Sequence, residues 1–214
     1  MKLLFSPAAL TTALFASRVI ADASEAYNVA YHELEAIHDL TDNLTEAIKA
    51  WDGTSLQASL NNIHNPSVST TTYIAEAAER LLEHRQTQFD KVQSFKIGSP
   101  SQRLAYAVNA SIASLISRKG AFDDLHASPI VVQDVAGLLS ASRNFSEALV
   151  YLVPDLLQPV ANNLKAQTLD SLQQGVDCFN GTDFACHAGT VDTERTYDLA
   201  VRYNAMKPDG SPFV

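Results

Sequence analysis

The sequence predicts an all-α protein: a bundle of five mostly antiparallel helices, followed by a C-terminal disulfide loop and a short tail. Apolar residues recur three or four positions apart in several long stretches, which is the spacing of one helix face. Almost no stretch alternates apolar and polar residues as a strand does. With 214 residues, of which 46% are hydrophobic, the chain can bury the core of a single domain without staples.

The first helix, residues 27–51, sets the length of the bundle. At about 1.5 Å per residue it spans roughly 37 Å, which is too long for the interior of a small mixed domain and suits a bundle. Gly53 ends it, because glycine readily takes the left-handed conformation that closes a helix. Thr41 is the one polar member of its stripe, which otherwise comprises Tyr27, Ala30, Leu34, Ile37, Leu44, Ile48 and Trp51.

Prolines and turn residues set the expected limits of the next two helices. A short helical segment, 54–63, is expected to end at the Asn-Pro-Ser break at 65–67. The second helix then covers 70–95, and a Gly-Ser-Pro-Ser turn at 98–101 leads into the third helix, which ends near residue 119. The inward positions predicted for the second helix are Ile74, Ala77, Leu81, Gln88, Val92 and Phe95. Those of the third are Leu104, Val108, Ser111, Ile112 and Leu115.

The fourth helix begins with Ser128 as N-cap and Pro129 at the first helical position. Pro154 marks its break, and a fifth helix runs on to about Phe179. The stripe of the fourth is Val131, Val135, Leu138, Ser142, Phe145, Leu149 and Leu152. That of the fifth is Leu157, Val160, Leu164, Thr168, Leu172 and Val176.

The chain divides into a targeting segment, a bundle and a tail. Residues 1–21 have the basic start, apolar run and small residues of a signal peptide, with cleavage after Ala23 as a second option and a buried N-terminal helix as the alternative. Residues 22–180 form the bundle domain. Residues 181–214 are predicted to form a loop and tail packed on it, and the polar end argues against a lipid anchor.

Charge narrows the range of partners. Without Lys2 and Arg18, 13 of the 15 basic residues remain against 24 acidic ones, so the mature net charge is −11. This argues against nucleic acid and anionic membrane surfaces as partners. No later stretch reaches the length of a transmembrane segment, so the prediction is a secreted protein.

Four N-glycosylation sequons support this prediction, at Asn43, Asn109, Asn144 and Asn180. A glycosylated Asn must face solvent, and two residues along a helix correspond to a rotation of about 200°. Thr41, Ser111 and Ser142 are each two residues from a sequon Asn, so they should point inward. The alternative role for each hydroxyl is a bond to the carbonyl four residues before it.

The two cysteines, Cys178 and Cys186, should form a disulfide in an oxidising compartment, with a free thiol pair as the alternative. The sequence contains little that resembles a catalytic site. His32 and His38 are six residues apart, whereas a helical zinc protease site needs four. The acidic cluster of Asp123, Asp124 and His126 is better explained as a solvated loop. We therefore predict a non-enzyme without catalytic residues, metal or cofactor.

Two stretches carry a family resemblance: EAIHDLTDNLTEAIKAW, residues 35–51, and SRNFSEALVYLVPDLLQPVANNLKAQTLDSLQQGVDCF, residues 142–179. They resemble the fungal hydrophobic surface-binding protein family, which includes the cell-wall galactomannoproteins. The resemblance implies a five-helix bundle that binds long-chain fatty acids or similar lipids in an apolar cavity, in a secreted or cell-wall-associated protein. The alternative it implies is a protein that adsorbs to hydrophobic solids and recruits a secreted hydrolase, with cell-wall polysaccharide as a further partner.

For such a cavity, small residues such as Ala77, Ala107 and Ala148 would leave space. Thr41, Ser111 and Ser142 would bind a carboxylate head group through neutral hydrogen bonds, because no Arg or Lys is expected to face inward. Each of the apolar positions has ordinary core packing as its alternative role. The apolar lining positions are Leu34, Ile37, Leu44, Ile74, Leu81, Ile112, Leu115, Leu138 and Leu149.

Overall fold

The computed structural model describes residues 7–181 and Cys186, with side chains described from residue 22 onward. Every regular element in this part of the chain is helical, which confirms the all-α class. A π-helical segment, Leu60–His64, joins α2 to α3 without interruption. The helices are α1 (Pro7–Ala50), α2 (Leu56–Ser59), α3 (Asn65–Leu82), α4 (Lys91–Ser117), α5 (Lys119–Asp124), α6 (Ser128–Leu152) and α7 (Gln158–Phe179).

The prediction of five helices was too simple. Five long helices are present, and the short α2 and α5 and the π-helical segment add to them. α1 begins at Pro7, within the predicted signal peptide, so that division of the chain stays a prediction. The N-cap of α6 is Ala127, one residue before the predicted Ser128. The predicted tail lies outside the described residues.

Both breaks predicted around α3 and α4 were wrong. Pro66 is the second residue of α3 and follows the π-helical segment directly, so the chain stays helical through the predicted break. Pro100 lies inside α4 rather than in a turn. The actual boundary is a capping box: the Gln93 backbone N–H donates to Asp90 Oδ1 at 2.8 Å, and the Asp90 N–H donates to Gln93 Oε1 at 2.9 Å.

This shift changes which residues face inward at the start of α4. Gln88 lies outside any helix and is exposed. The side chains of Val92 and Phe95 are also exposed, so their predicted inward orientation was wrong. Ser94 and Ile97 occupy the inward positions instead.

The five long helices form a closed ring. Helix α1 packs against α3 and α4, α6 packs against α3 and α7, and α4 packs against α7. Around the ring the order is therefore α1, α3, α6, α7, α4. Because no helix occupies the centre, the inward faces of all five surround a common axis.

Neighbouring helices in the ring are more often parallel than the prediction of a mostly antiparallel bundle implied. The contact of Glu33 with Arg80 makes α1 and α3 antiparallel, and that of Glu147 with Lys165 does the same for α6 and α7. Helices α3 and α6 are parallel, because His64 contacts Asp134 near their starts and Phe89 N–H donates to the Leu152 carbonyl after their ends. Arg103 contacts Glu35, and Arg118 donates to the Lys49 carbonyl, so α4 is parallel to α1. Gly175 packs against Ile112 and Lys119 lies over the Phe179 ring, which places the end of α4 beside the end of α7.

One end of the ring is closed by aromatic side chains. Phe122 lies between Trp51 and Phe179, with ring centroids 4.4 Å and 5.8 Å away, and all three are buried. Gly53 has a φ of +79°, as predicted, and an added Cβ would lie 2.8 Å from the Cβ of Ala121. The backbone therefore turns against α5 where only glycine fits.

The predicted disulfide is confirmed, between Cys178 in the last turn of α7 and Cys186. The Cα atoms are 4.7 Å apart, and the bridge closes a short loop beside the aromatic end of the ring. The free-thiol alternative is thereby excluded.

An ion pair joins α1 and α3 near the opposite end. Arg80 Nε and Nη2 donate to the two carboxylate oxygens of Glu33 at 2.6 and 3.0 Å. Burial opposes the charge on Glu33, but hydrogen bonds from Arg80 and Tyr73 outweigh it and lower the pKa of this carboxyl below its ordinary value. The Arg80 guanidinium also lies 5.2 Å from the centre of the Tyr73 ring.

Candidate functional site

The ring encloses a cavity. The space open to the centre of a water-sized sphere is about 110 Å³, and all five long helices and the π-helical segment contribute to its wall. The wall is mostly apolar, with Leu, Ile and Val from every side. The packing of the helices therefore leaves unfilled space along the bundle axis, where an ordinary bundle has interlocking side chains.

Almost every predicted lining residue does line the cavity. The exception is Leu81, in the last turn of α3, which is fully buried in the core. The small residues Ala77, Ala107 and Ala148 are buried but are not part of the wall. Predicted residues found on the wall are Leu34, Ile37, Thr41, Leu44, Ile74, Ser111, Ile112, Leu115, Leu138, Ser142 and Leu149.

Several wall residues were missed by the sequence analysis. Ser94, Ile97 and Ser101 were hidden by the wrong boundary of α4. Ser67 and Thr70 were hidden because the predicted break removed the first turn of α3. A Ser or Thr on the inward stripe was the signal that could have found them.

The cavity hydroxyls fall into two groups. Thr41 Oγ1 donates to the Ile37 carbonyl at 2.7 Å, the alternative role that the sequence left open. Thr168 makes the same kind of bond to the Leu164 carbonyl. By contrast, Ser111 and Ser142 make no hydrogen bond within the described residues. Ser67 and Thr70 also have unpaired hydroxyls there. These four residues are buried and line the cavity, so their hydroxyls can bond a ligand in it.

Asp134 and Lys165 belong to the wall, whereas the sequence analysis expected no Arg or Lys to face inward and named no acidic residue there. His64 Nδ1 lies 2.9 Å from Asp134 Oδ1 and 3.1 Å from Oδ2. Burial raises the pKa of Asp134, and the hydrogen bond with His64 opposes this only in part. Lys165, on α7, also contributes to the wall, but its ammonium group lies 3.2 Å from Oε1 of the exposed Glu147.

The sequons agree with this geometry. Asn43, Asn144 and Asn180 are exposed, and Asn109 is half-buried. Thr41, Ser111 and Ser142, which lie two residues from Asn43, Asn109 and Asn144, are buried, as the helical spacing predicts. Attachment of glycans to these four positions stays a prediction.

The residues considered for catalysis do not form a site with an evident chemistry. Asp123 receives hydrogen bonds from Lys119 and Ser128, which lower the pKa of its carboxyl. His38 lies 3.5 Å from Asp42 on the same helix. Within the described residues, no three His, Cys, Asp or Glu side chains are grouped to bind a metal ion. None of the helices in that part is both long and apolar enough to cross a membrane.

Together, the ring and its apolar, hydroxyl-bearing hollow define a class: helical-bundle proteins with an internal cavity. Within it, the chain belongs to the hydrophobic surface binding protein A family, whose model matches residues 27–151. It is 24% identical over 146 residues to cell wall mannoprotein 1 of Aspergillus flavus, covering 68% of this chain and 51% of that protein. It is 27% identical over 115 residues to the Aspergillus fumigatus protein of the same name, covering 50% of this chain and 40% of that protein. The chain thus spans about half the length of these relatives or less.

Solved structures share the fold. Ligand binding domain 1 of the Penicillium marneffei MP1 protein, complexed with arachidonic acids, has a TM-score of 0.67 at 21% identity, with 72% of this chain and 98% of that chain covered. The structure of Afmp4p in complex with palmitic acid has a TM-score of 0.65 at 15% identity, with 72% of this chain and 99% of that chain covered. At these identities the likeness shows the fold alone, and both relatives from Aspergillus are named as mannoproteins rather than as enzymes.

Proposed function

We propose that this chain binds a long-chain fatty acid or a similar lipid in the cavity between its helices, and that it acts without catalysis. The observation that carries the proposal is unfilled apolar space along the axis of a closed ring, with unpaired hydroxyls on its wall. The fatty acids in the solved neighbours of the same fold support it. The mannoprotein relatives support a secreted or cell-wall-associated location.

The size of the cavity indicates how much of a lipid it accepts at rest. At about 10–15 Å³ of this space per water-sized group, 110 Å³ accepts roughly seven to eleven such groups. A methylene group is of similar size, and its burial contributes about 0.8 kcal/mol, so the gross gain is roughly 6–9 kcal/mol. Association costs at least about 4 kcal/mol of this, so the affinity expected for the resting cavity is roughly 0.2 mM or weaker. Longer chains require movement of wall residues.

The wall of α7 offers the easiest place for such movement. Val160, Ala161 and Leu164 line the cavity and are only half-buried. Side chains that are partly exposed can change rotamer without opening the core. We therefore place the entry of the lipid between the first half of α7 and the start of α4.

We place a carboxylate head group at Ser142. Its hydroxyl faces the cavity and can donate to a carboxylate, whereas the Thr41 hydroxyl already donates to its own helix. Ser142 is one of the ligand-binding residues predicted from the sequence.

Native mass spectrometry of the secreted, deglycosylated protein tests the proposal. We expect a stoichiometric added mass that extracts into organic solvent as a lipid. Leu138→Trp should abolish it by filling the cavity, whereas Leu82→Trp, at an exposed position of α3, should retain it. Ser142→Ala should weaken uptake of a fatty acid, with Ser140→Ala on the exposed face of α6 as the matched control. Protein that neither carries nor takes up a long-chain lipid would contradict the proposal.

A second candidate function is adsorption to hydrophobic surfaces. Val92 at the start of α4 is 60% exposed, and Tyr151 and Leu156 near the end of α6 are 60% and 78% exposed. The backbone bond from Phe89 to Leu152 holds these two segments together. Depletion onto hydrophobic beads, lost on Leu156→Ser with Val92→Ser, would favour this function. Recruitment of a hydrolase and binding of cell-wall polysaccharide stay predictions.

A further inference from the structure

A buried acid lies on the wall of the apolar cavity, near its closed end. The Asp134 side chain is 8% exposed, and its polar partner among the described residues is His64. A carboxylate has about four lone-pair positions, so the single His64 nitrogen leaves acceptor capacity unused. Asp134 is the seventh residue of α6, on the side of the closed aromatic end.

Unpaired hydroxyls lie at the same level as this acid. Ser67 is three residues after His64, so both lie on one face of the continuous helix. Gly175 is packed against both Ile112 and Val135, which places Ser111 and Asp134 at one level of the ring. We call the group Asp134, Ser67, Thr70 and Ser111 the polar layer; all four residues are buried and line the cavity.

The chemistry of the polar layer favours one kind of head group. A lipid hydroxyl can donate to the Asp134 carboxylate and accept from a Ser or Thr hydroxyl. A lipid carboxylate has no proton to donate to Asp134, and its charge would lie close to the Asp134 carboxyl group in a poorly solvated space, where the His64 ring is the partner that offsets it. The other charged wall residue, Lys165, is ten positions before Gly175, about 15 Å away along α7, and is paired with Glu147.

The cavity provides room for a chain that starts at this layer. Its wall continues from Asp134 along α6 to Val153, which is about 28 Å at 1.5 Å per residue. A head group in the polar layer therefore directs the alkyl chain away from the closed end, towards the half-buried first half of α7. The carboxylate position assigned to Ser142 is about 12 Å further along the same helix.

We infer that the polar layer is a subsite for a lipid hydroxyl group and that Asp134 is a specificity-determining residue. It selects a neutral long-chain alcohol over the carboxylate of the same chain length. The inference rests on the proposed function, because it requires that the cavity takes up a lipid. It goes further by naming the head-group chemistry and the residue that discriminates.

The test is a calorimetric titration of the delipidated, full-length secreted protein with 1-dodecanol and with dodecanoate at pH 7.5. We expect wild-type protein to bind dodecanol at least tenfold more tightly than dodecanoate. Asp134→Asn keeps the shape and removes the charge, so it should reduce this ratio to threefold or less, mainly by tightening dodecanoate. Asp170→Asn, at an exposed position of α7, makes the same charge change and should leave the ratio unaltered.

The outcomes separate the two proposals. If neither ligand binds wild-type protein, the proposed function itself is contradicted. If both bind equally, or if dodecanoate binds more tightly, only the inference about Asp134 is overturned. Should Asp134→Asn fail to fold, the wild-type ratio still decides, together with Thr70→Val. That variant replaces a wall hydroxyl by a methyl group and should weaken dodecanol binding several-fold while leaving dodecanoate unchanged.

Discussion

Filling the cavity should stabilise the empty protein and remove its response to lipid. Leu138 lines the cavity from α6 and is almost fully buried, so a larger side chain there projects into the hollow. At about 24 cal/mol per Å³, 110 Å³ of unfilled space corresponds to a cost of about 2.6 kcal/mol. Leu138→Trp fills part of it, and cavity-filling changes commonly add about 0.5–2 kcal/mol, so we expect a gain of about 1 kcal/mol.

Thermal unfolding with and without lipid measures both effects. For a domain of this size, 1 kcal/mol shifts the Tm by roughly 2–4 °C, so lipid-free Leu138→Trp should melt a few degrees above wild type. Lipid at a hundred times its Kd stabilises wild-type protein by about 2.7 kcal/mol. The wild-type Tm should therefore rise by roughly 5–10 °C, whereas the variant should not respond. Leu82→Trp serves as the control, with wild-type behaviour in both measurements.

Two results would refute this reasoning. A loss of more than 1 kcal/mol in lipid-free Leu138→Trp would mean that the site is already packed, because overfilling a core costs about that much. An undiminished rise in Tm of the variant with lipid would mean that lipid binds elsewhere than the cavity.

Two further predictions concern the ends of the ring. Arg80→Met leaves Tyr73 as the remaining hydrogen-bond donor to the buried Glu33 carboxylate and should destabilise the protein by about 2 kcal/mol at pH 7 in urea unfolding. Since the fold lowers the pKa of Glu33, the wild-type advantage is complete above the ordinary value of 4.5 and should shrink as the pH falls through the folded-state pKa. An equal deficit at pH 7 and at pH 3 would contradict this account. Gly53→Ala should cost about 2 kcal/mol, because of its left-handed φ and the contact with Ala121, whereas Gly120→Ala, with open space around it, should be nearly neutral.

Helix faces were predictable because the period of a helix fixes which residues share a side. The stripe of α6 is buried as predicted from Val131 to Phe145, and the sequon spacing correctly oriented Thr41, Ser111 and Ser142. Pro154 ends a helix as expected, because the interior of a helix does not tolerate its ring. These features depend only on residues close together in the sequence.

Boundaries were less predictable where two local signals competed. Pro66 and Pro100 suggested breaks that did not occur, whereas the Asp90 and Gln93 capping box was overlooked. Pro66 directly follows the π-helical segment, and a proline inside a long helix, such as Pro100, can be tolerated when the rest of the helix is packed on its neighbours. The propensity of a few residues did not outweigh those contacts.

The sequence by itself determined the helical class, the inward faces of most helices and the pairing of Cys178 with Cys186. Only the tertiary structure decided that the five long helices close into a ring with parallel neighbours and a hollow axis. It also decided that Asp134 and Lys165 contribute to the wall of that hollow, although both lie near predicted stripes. The physical reason is that ring order, helix direction and unfilled space depend on contacts between residues far apart in the chain, which periodicity does not encode.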